Sequence, residues 1–130
     1  MQWDETAHGL GVAEMDATHR EFLALVNALL KAPAIAFRDL FERLRTHTRA
    51  HFEREFVLMQ ASGFAATAEH EAEHARVLAD LTHLAVRVQQ GNLVLARAYA
   101  QSLPEWFGHH VATMDSALAA RIKDRVTERI

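Results

Sequence analysis

The sequence predicts an all-α fold: an antiparallel up-down-up-down four-helix bundle with an extended N-terminal arm and a short C-terminal helical tail. Three observations predict it. Apolar residues recur at helical spacing over four long stretches, and no stretch alternates as a strand would. Only two prolines and five glycines interrupt the 130 residues. The gaps between the periodic stretches are short, so consecutive helices should run antiparallel.

Residues 1–15 show no helical period and contain Gly9 and Gly11, which reads as an extended arm. Asp16 is a natural N-cap for a first helix over about 17–31, whose Phe22, Leu23, Val26, Leu29 and Leu30 share a face and which Pro33 ends. A second helix, 35–62, carries Leu40, Phe41, Leu44, Phe52, Phe56 and Met59, with Gly63 as its stop. Thr67 can cap a third over 68–90, with Val77, Leu78, Leu81, Leu84, Ala85 and Val88 facing inward and Gly91-Asn92 closing it. The fourth starts near Leu93 and runs to about 114. Pro104 lies inside it and cannot donate to the Ala100 carbonyl, which predicts a kink or a local break. Residues 116–130 read as the charged helical tail, and 1–130 as a single domain.

Composition narrows the function. Half of the residues are apolar, enough for one continuous core, and the net charge of −3 offers little to nucleic acid or to an anionic membrane. No run of about 18 apolar residues exists to span a bilayer, and the first residues lack the apolar run of a signal peptide. There is no cysteine, which excludes disulfides and thiolate ligands and fits a cytoplasmic location.

Nine histidines are the unusual feature. His51 and Glu55 are four apart, as are His70 and His74, so each pair sits one turn apart on one helical face. His110 and Asp115 are five apart and can still lean toward one centre, and His19 stands near the start of the first helix. Each helix thus contributes to one set: His19; His51 and Glu55; His70 and His74; His110 and Asp115. Imidazoles and carboxylates suit iron, manganese or zinc. Five imidazoles, two bridging carboxylates and one bridging oxo or hydroxo group fill about eleven positions, and two octahedral metals offer about twelve. The one vacancy suggests a small diatomic ligand. Burying seven such groups without partners would cost roughly 1–3 kcal/mol each, a sum comparable with a domain's whole stability. They are therefore surface groups or ligands, and the apolar neighbours Phe22, Phe52, Phe56, Trp106 and Phe107 argue for the interior. The remaining histidines, His8, His47, His83 and His109, read as surface groups or as hydrogen-bonding partners behind the ligands.

Two other chemistries fit parts of the pattern. His70-Glu71-Ala72-Glu73-His74 also reads as H-E-x-x-H, a zinc-protease signature with Glu71 as general base, but that leaves His51, Glu55, His110 and Asp115 unused. A ferritin-type di-iron enzyme would need two Glu-x-x-His motifs, and only Glu71/His74 fits well.

The motifs Gly11-Val12-Ala13-Glu14-Met15-Asp16-Ala17-Thr18-His19, His51-Phe52-Glu53-Arg54-Glu55 with Met59, His70-Glu71-Ala72-Glu73-His74, and Trp106-Phe107-Gly108-His109-His110 with Asp115 are together highly specific. On them the chain resembles the hemerythrins, most closely the stand-alone bacterial ones, over nearly its whole length. The resemblance implies a non-haem di-iron centre that binds O₂ reversibly for storage, delivery or sensing. His70, His74 and His110 would hold the coordinatively full iron and His19 and His51 the open one, with Glu55, Asp115 and an oxo or hydroxo group bridging them. O₂ would be held as hydroperoxide on the open iron, in an apolar pocket of Phe22, Phe52, Met59, Trp106, Phe107 and Val111. Thr18 stands where Gln is usual, Phe107 where Leu is common and His109 where Asn is common, and Pro104 is unusual; none of these removes a ligand. The expectation is an oxygen-binding protein rather than an enzyme, monomeric, with O₂ and an oxygen-using enzyme as partners. The alternative is an O₂-activating or peroxide- or nitric-oxide-handling di-iron enzyme.

Overall fold

The computed structural model describes residues 1–128, and the last two residues of the expected tail lie outside them. The described residues are all helical, without a strand: α1 (Glu5–His8), α2 (Ala13–Lys31), α3 (Ala34–Ser62), α4 (Thr67–Gln89), α5 (Val94–His110), a single π-helical turn (Val111–Asp115) and α6 (Ser116–Glu128). Helices α2 to α5 close a four-membered ring in which each packs on the next and α5 returns to α2. Short connections make neighbours antiparallel, as the sequence predicts. No described helix is long and apolar enough to cross a membrane.

Local chemistry sets the boundaries. The N-terminal segment is not simply extended: Asp4 caps one turn, α1, by accepting the Thr6 amide. α2 begins at Ala13 rather than after Asp16, with Val12 at the cap position. The Asp16 carboxylate instead reaches back to the amides of Leu10 (2.9 Å) and Gly11 (3.3 Å), so it ties the preceding loop and leaves the helix amides alone. Ala32 is extended because it precedes Pro33, which stops α2 and starts α3 immediately. α3 ends at Gly63 in the left-handed region (φ 65°), where the Gly63 amide bonds to the Gln60 carbonyl and the Phe64 amide to that of Met59. Thr67 is the first residue of α4, not its cap, and donates its hydroxyl to the Phe64 carbonyl.

The expected break at Pro104 does not occur: α5 runs through it unbroken. Leu103 and Phe107, on either side of Pro104, are buried in the main core, and this burial offsets the missing hydrogen bond. The irregularity falls later, in the π turn, where the Ser116 amide bonds to the Val111 carbonyl five residues back. The tail is thus the continuation of α5, and Leu118 and Ala119 are buried.

Two apolar clusters fill the bundle. The larger holds Phe22, Val26, Phe37, Phe41, Leu81 and Phe107 among others. The smaller, closing the other end, is Met15, Met59, Leu118 and Ala119. His19 lies between Met15 and Phe22 on α2, Glu55 between Phe52 and Met59 on α3, and Asp115 between Val111 and Leu118, so a polar layer separates the clusters.

Candidate metal centre

All seven expected side chains, His19, His51, Glu55, His70, His74, His110 and Asp115, meet in that layer, none more than 4% exposed. Among the described residues they form two overlapping groups: Glu55, His70, His74, His110 and Asp115; and His19, His51 and Glu55. The five imidazoles turn Nε2 inward. Glu55 presents Oε2 to His51 (2.7 Å) and His19 (3.0 Å), and Oε1 to His70 (3.2 Å) and His74 (3.4 Å). Asp115 presents Oδ2 to His19 (3.3 Å), and Oδ1 to His70 (3.1 Å) and His110 (3.3 Å). Each carboxylate therefore spans the two groups, one oxygen on each side.

The π turn makes this possible for Asp115. In an α-helix each residue turns about 100°, so a residue five places on would point about 140° away. The wider turn, closed by a bond five residues back, brings Asp115 round to the side of His110.

The donor set fits cations. Donor atoms about 2.1 Å from one first-row metal lie about 3 Å apart at the corners of an octahedron, as these do. Several buried polar atoms have no hydrogen-bond partner: His70 Nε2, Glu55 Oε1 and both Asp115 oxygens. His74 Nε2 and His110 Nε2 point at each other across 3.3 Å, close enough that a shared cation would engage both lone pairs.

Electrostatics agree. Burial alone would raise Glu55, but the His51 charge and the close imidazoles of His19, His51 and His70 hold it well below the usual carboxylate range. Asp115 is also held low: burial and Glu55 push it up, and His110 and His70 outweigh them. Burial pushes the His74 imidazole down to about 4, with His70 and His110 adding to the effect. His70 goes the other way, to about 9, because Asp115 and Glu55 overcome its burial. The carboxylates are anionic, and His74 readily offers a neutral lone pair.

The six apolar residues expected around O₂ divide. Phe22 and Phe107 stack at 5.3 Å and flank the two-imidazole side: Phe107 meets His19 edge-on at 5.5 Å and Phe22 lies 6.1 Å from His51. Phe52 and Trp106 lie against the three-imidazole side: Phe52 stacks parallel on His74 at 3.7 Å and Trp106 stacks on His110 at 4.7 Å. Trp106 is held there by its indole N–H, which donates to Glu73 at 2.5 Å. Val111 is buried in the main core, and Met59 lies in the smaller cluster at the far side of Glu55.

Two readings need correction. Phe56 is 41% exposed and does not line the interior. His8, read from sequence as a surface group or a partner behind a ligand, is buried against Phe107 with no bond to any ligand; its short arm carries no periodicity that could have signalled this. His83 and His109 are exposed as expected, and His47 faces Glu21 at 3.1 Å. Glu71 lies on the outer side of α4, its Oε1 3.7 Å from His74 Nδ1 and away from the inward Nε2 atoms, which does not match a protease general base.

Comparison with known proteins agrees with this geometry. Residues 10–122 match the family model of the hemerythrin HHE cation binding domain. The chain is 35% identical over 125 residues to a bacteriohemerythrin of Ralstonia nicotianae, covering 96% of this chain and 90% of that one. It is 24% identical to a bacteriohemerythrin of Methylococcus capsulatus, covering 88% and 91%. A crystal structure of wild-type hemerythrin superposes with a TM-score of 0.86 at 21% identity, over 94% of this chain and 97% of that one. A matched span that runs from the loop tied by Asp16 into α6, and so encloses every member of the seven-residue cluster, places this chain in the hemerythrin family.

Proposed function

We propose that the protein binds O₂ reversibly at a non-haem di-iron centre, the cofactor its family implies. The observation that carries this is the division of Glu55 and Asp115, each with one oxygen toward a three-imidazole group and the other toward a two-imidazole group. His70, His74 and His110 with Glu55 Oε1 and Asp115 Oδ1 would offer one iron five donors. His19 and His51 with Glu55 Oε2 and Asp115 Oδ2 would offer the other four. With a shared oxo or hydroxo bridge the first iron would have six donors and the second five, which would leave room for one small ligand.

When bound, the iron pair would supply O₂ with an open coordination position and two electrons. The chain's own residues do the rest. The five neutral imidazoles set the geometry, and the two carboxylates balance charge without crowding the site with negative groups, which favours reversible binding over oxidation chemistry. Phe22 and Phe107, buried on the two-imidazole side, keep water and protons from that position. We read the protein as a monomeric cytoplasmic carrier, one domain over residues 1–130, that stores or senses O₂ or hands it to an oxygen-using enzyme. The absence of cysteine and the small net charge support this reading.

The test is iron content together with visible spectra. About two irons per chain, and an absorbance band that appears on exposing the reduced protein to air and disappears under vacuum, are expected. One zinc and no iron would overturn the di-iron reading. A band that forms once and decays to product would favour the enzyme.

A further inference from the structure

The N-terminal segment is docked over one side of the site. α1 packs on the π turn that carries Asp115, and Trp3 and Leu10 pack partly buried against the main core. Asp16 ties the segment's end through the amides of Leu10 and Gly11, and Asn27 donates to the Met1 carbonyl at 2.6 Å. The Arg20 guanidinium lies 4.7 Å over the Trp3 ring and pairs with Glu5. Gly11 turns the chain between α1 and α2 with φ at 75°, a conformation other residues adopt at a cost.

His8 sits at the middle of this segment. Apart from the five histidines of the cluster, it is the only histidine buried among the described residues. Its Nδ1 accepts the Asp4 amide at 2.9 Å, so in the neutral ring the proton is on Nε2. The ring lies 5.4 Å from Trp3 and 5.6 Å from Phe107. Phe107 in turn meets His19. A file of four rings, Trp3, His8, Phe107 and His19, therefore runs from the surface to the two-imidazole side. Capping α1 does not require this ring, because an Asn side chain could accept the same amide. One helical turn has almost no stability of its own, so α1 exists by docking, and it opens as a unit when those contacts part.

We propose that residues 1–10 form a cover over the oxygen-binding side of the centre, hinged at Gly11, and that His8 is the residue that determines access. Its ring fills the space outside Phe107, and undocking admits water and small anions. The inference rests on the metal-centre reading above.

Two variants separate the ring from its hydrogen bond. His8→Asn keeps an acceptor for the Asp4 amide and removes the ring, whereas His8→Phe keeps a ring and removes the acceptor. Azide entry into and exit from the oxidised, iron-loaded protein are followed by stopped flow, and amide exchange of residues 107–115 is measured in the metal-free protein. In His8→Asn, azide should enter and leave about tenfold faster with its affinity unchanged, because a cover that does not touch the ligand alters both rates equally. Amide exchange should rise in the same variant, iron content should stay at the wild-type level, and His8→Phe should stay within about twofold of wild type. Wild-type rates in His8→Asn, a changed affinity through a change in only one of the two rates, or acceleration in His8→Phe alone would each overturn the proposal and leave His8 as a cap of α1. If the wild-type protein holds no iron, the metal-centre reading fails, and the exchange measurement still decides whether the segment is a cover over 107–115.

Discussion

The His110 imidazole and the Asp115 carboxylate face each other across 3.3 Å although five residues separate them, because one π turn lies between the two. Among the described residues, Asp115 is the only carboxylate that α5 and its continuation send into the polar layer, and it reaches both imidazole groups. Asp115→Asn keeps the size of the side chain and removes its charge. The variant should hold well under about two irons per chain, measured by elemental analysis after growth with excess iron. A full iron complement would show that Asp115 is not a bridge.

His74→Ala should lose metal and stability together, since the imidazole is both a donor and the surface on which Phe52 lies flat. The cavity beside Phe52 and the lost metal linkage should cost about 2–4 kcal/mol, read from urea midpoints. The exposed His83→Ala is the control and should change neither quantity.

Phe107→Ala should cost roughly 3–5 kcal/mol, because the ring is fully buried between Phe22, His8 and His19. It should also shorten the life of the oxygenated form by admitting water to the two-imidazole side. The measurement is the decay of the oxygenated absorbance at a temperature where both proteins stay folded. Equal decay rates would reduce Phe107 to a packing residue.

The metal-free protein should be most stable near pH 6.5. Burial holds His74 down to about 4 against an ordinary 6.5, so its contribution is complete above 6.5 and is lost as pH falls toward 4. His70, raised to about 9 by Asp115 and Glu55 despite burial, contributes below 6.5 and loses that contribution as pH rises through 9. His19, also raised by Glu55 and Asp115 against its burial, adds to the alkaline loss. Bound iron requires deprotonated imidazoles, so the alkaline decline should vanish in the loaded protein. Urea midpoints between about pH 4 and 9, with and without iron, check both halves.

The seven members of the cluster were legible in the sequence because helices turn spacing into direction: four residues return to the same face, which pairs His51 with Glu55 and His70 with His74. The five-residue gap from His110 to Asp115 carried information that a plain α-helical reading could not use. On a helix, that gap is itself a sign of a π turn. Pro104 misled in the opposite direction, since its local cost is visible in sequence and the burial of Leu103 and Phe107 that offsets it is not. The start of α2 was misplaced because Asp16 has the chemistry of a cap, and only the fold shows that it serves Leu10 and Gly11. Phe52 and Phe56 look alike in sequence, yet four residues along a helix 29 residues long, one lies on His74 and the other is exposed. The burial of His8 depends wholly on docking between distant segments, which no local pattern encodes.

A π turn is an α-helix with one residue inserted, and its wider turn takes up the roughly 100° that the extra residue would otherwise add to everything after it. α6 therefore continues the inward face of α5, and Leu118 and Ala119 point at Met15 and Met59. Deleting Thr113, which is exposed on the π turn, would restore α-helical phase. Asp115 would then stand four residues after His110 and Leu118 seven after it, so both would keep the direction they have now. The π turn thus absorbs one residue without turning the helix face, and a chain shortened by Thr113 should keep both its iron and its melting cooperativity, whereas a second residue inserted there should cost both.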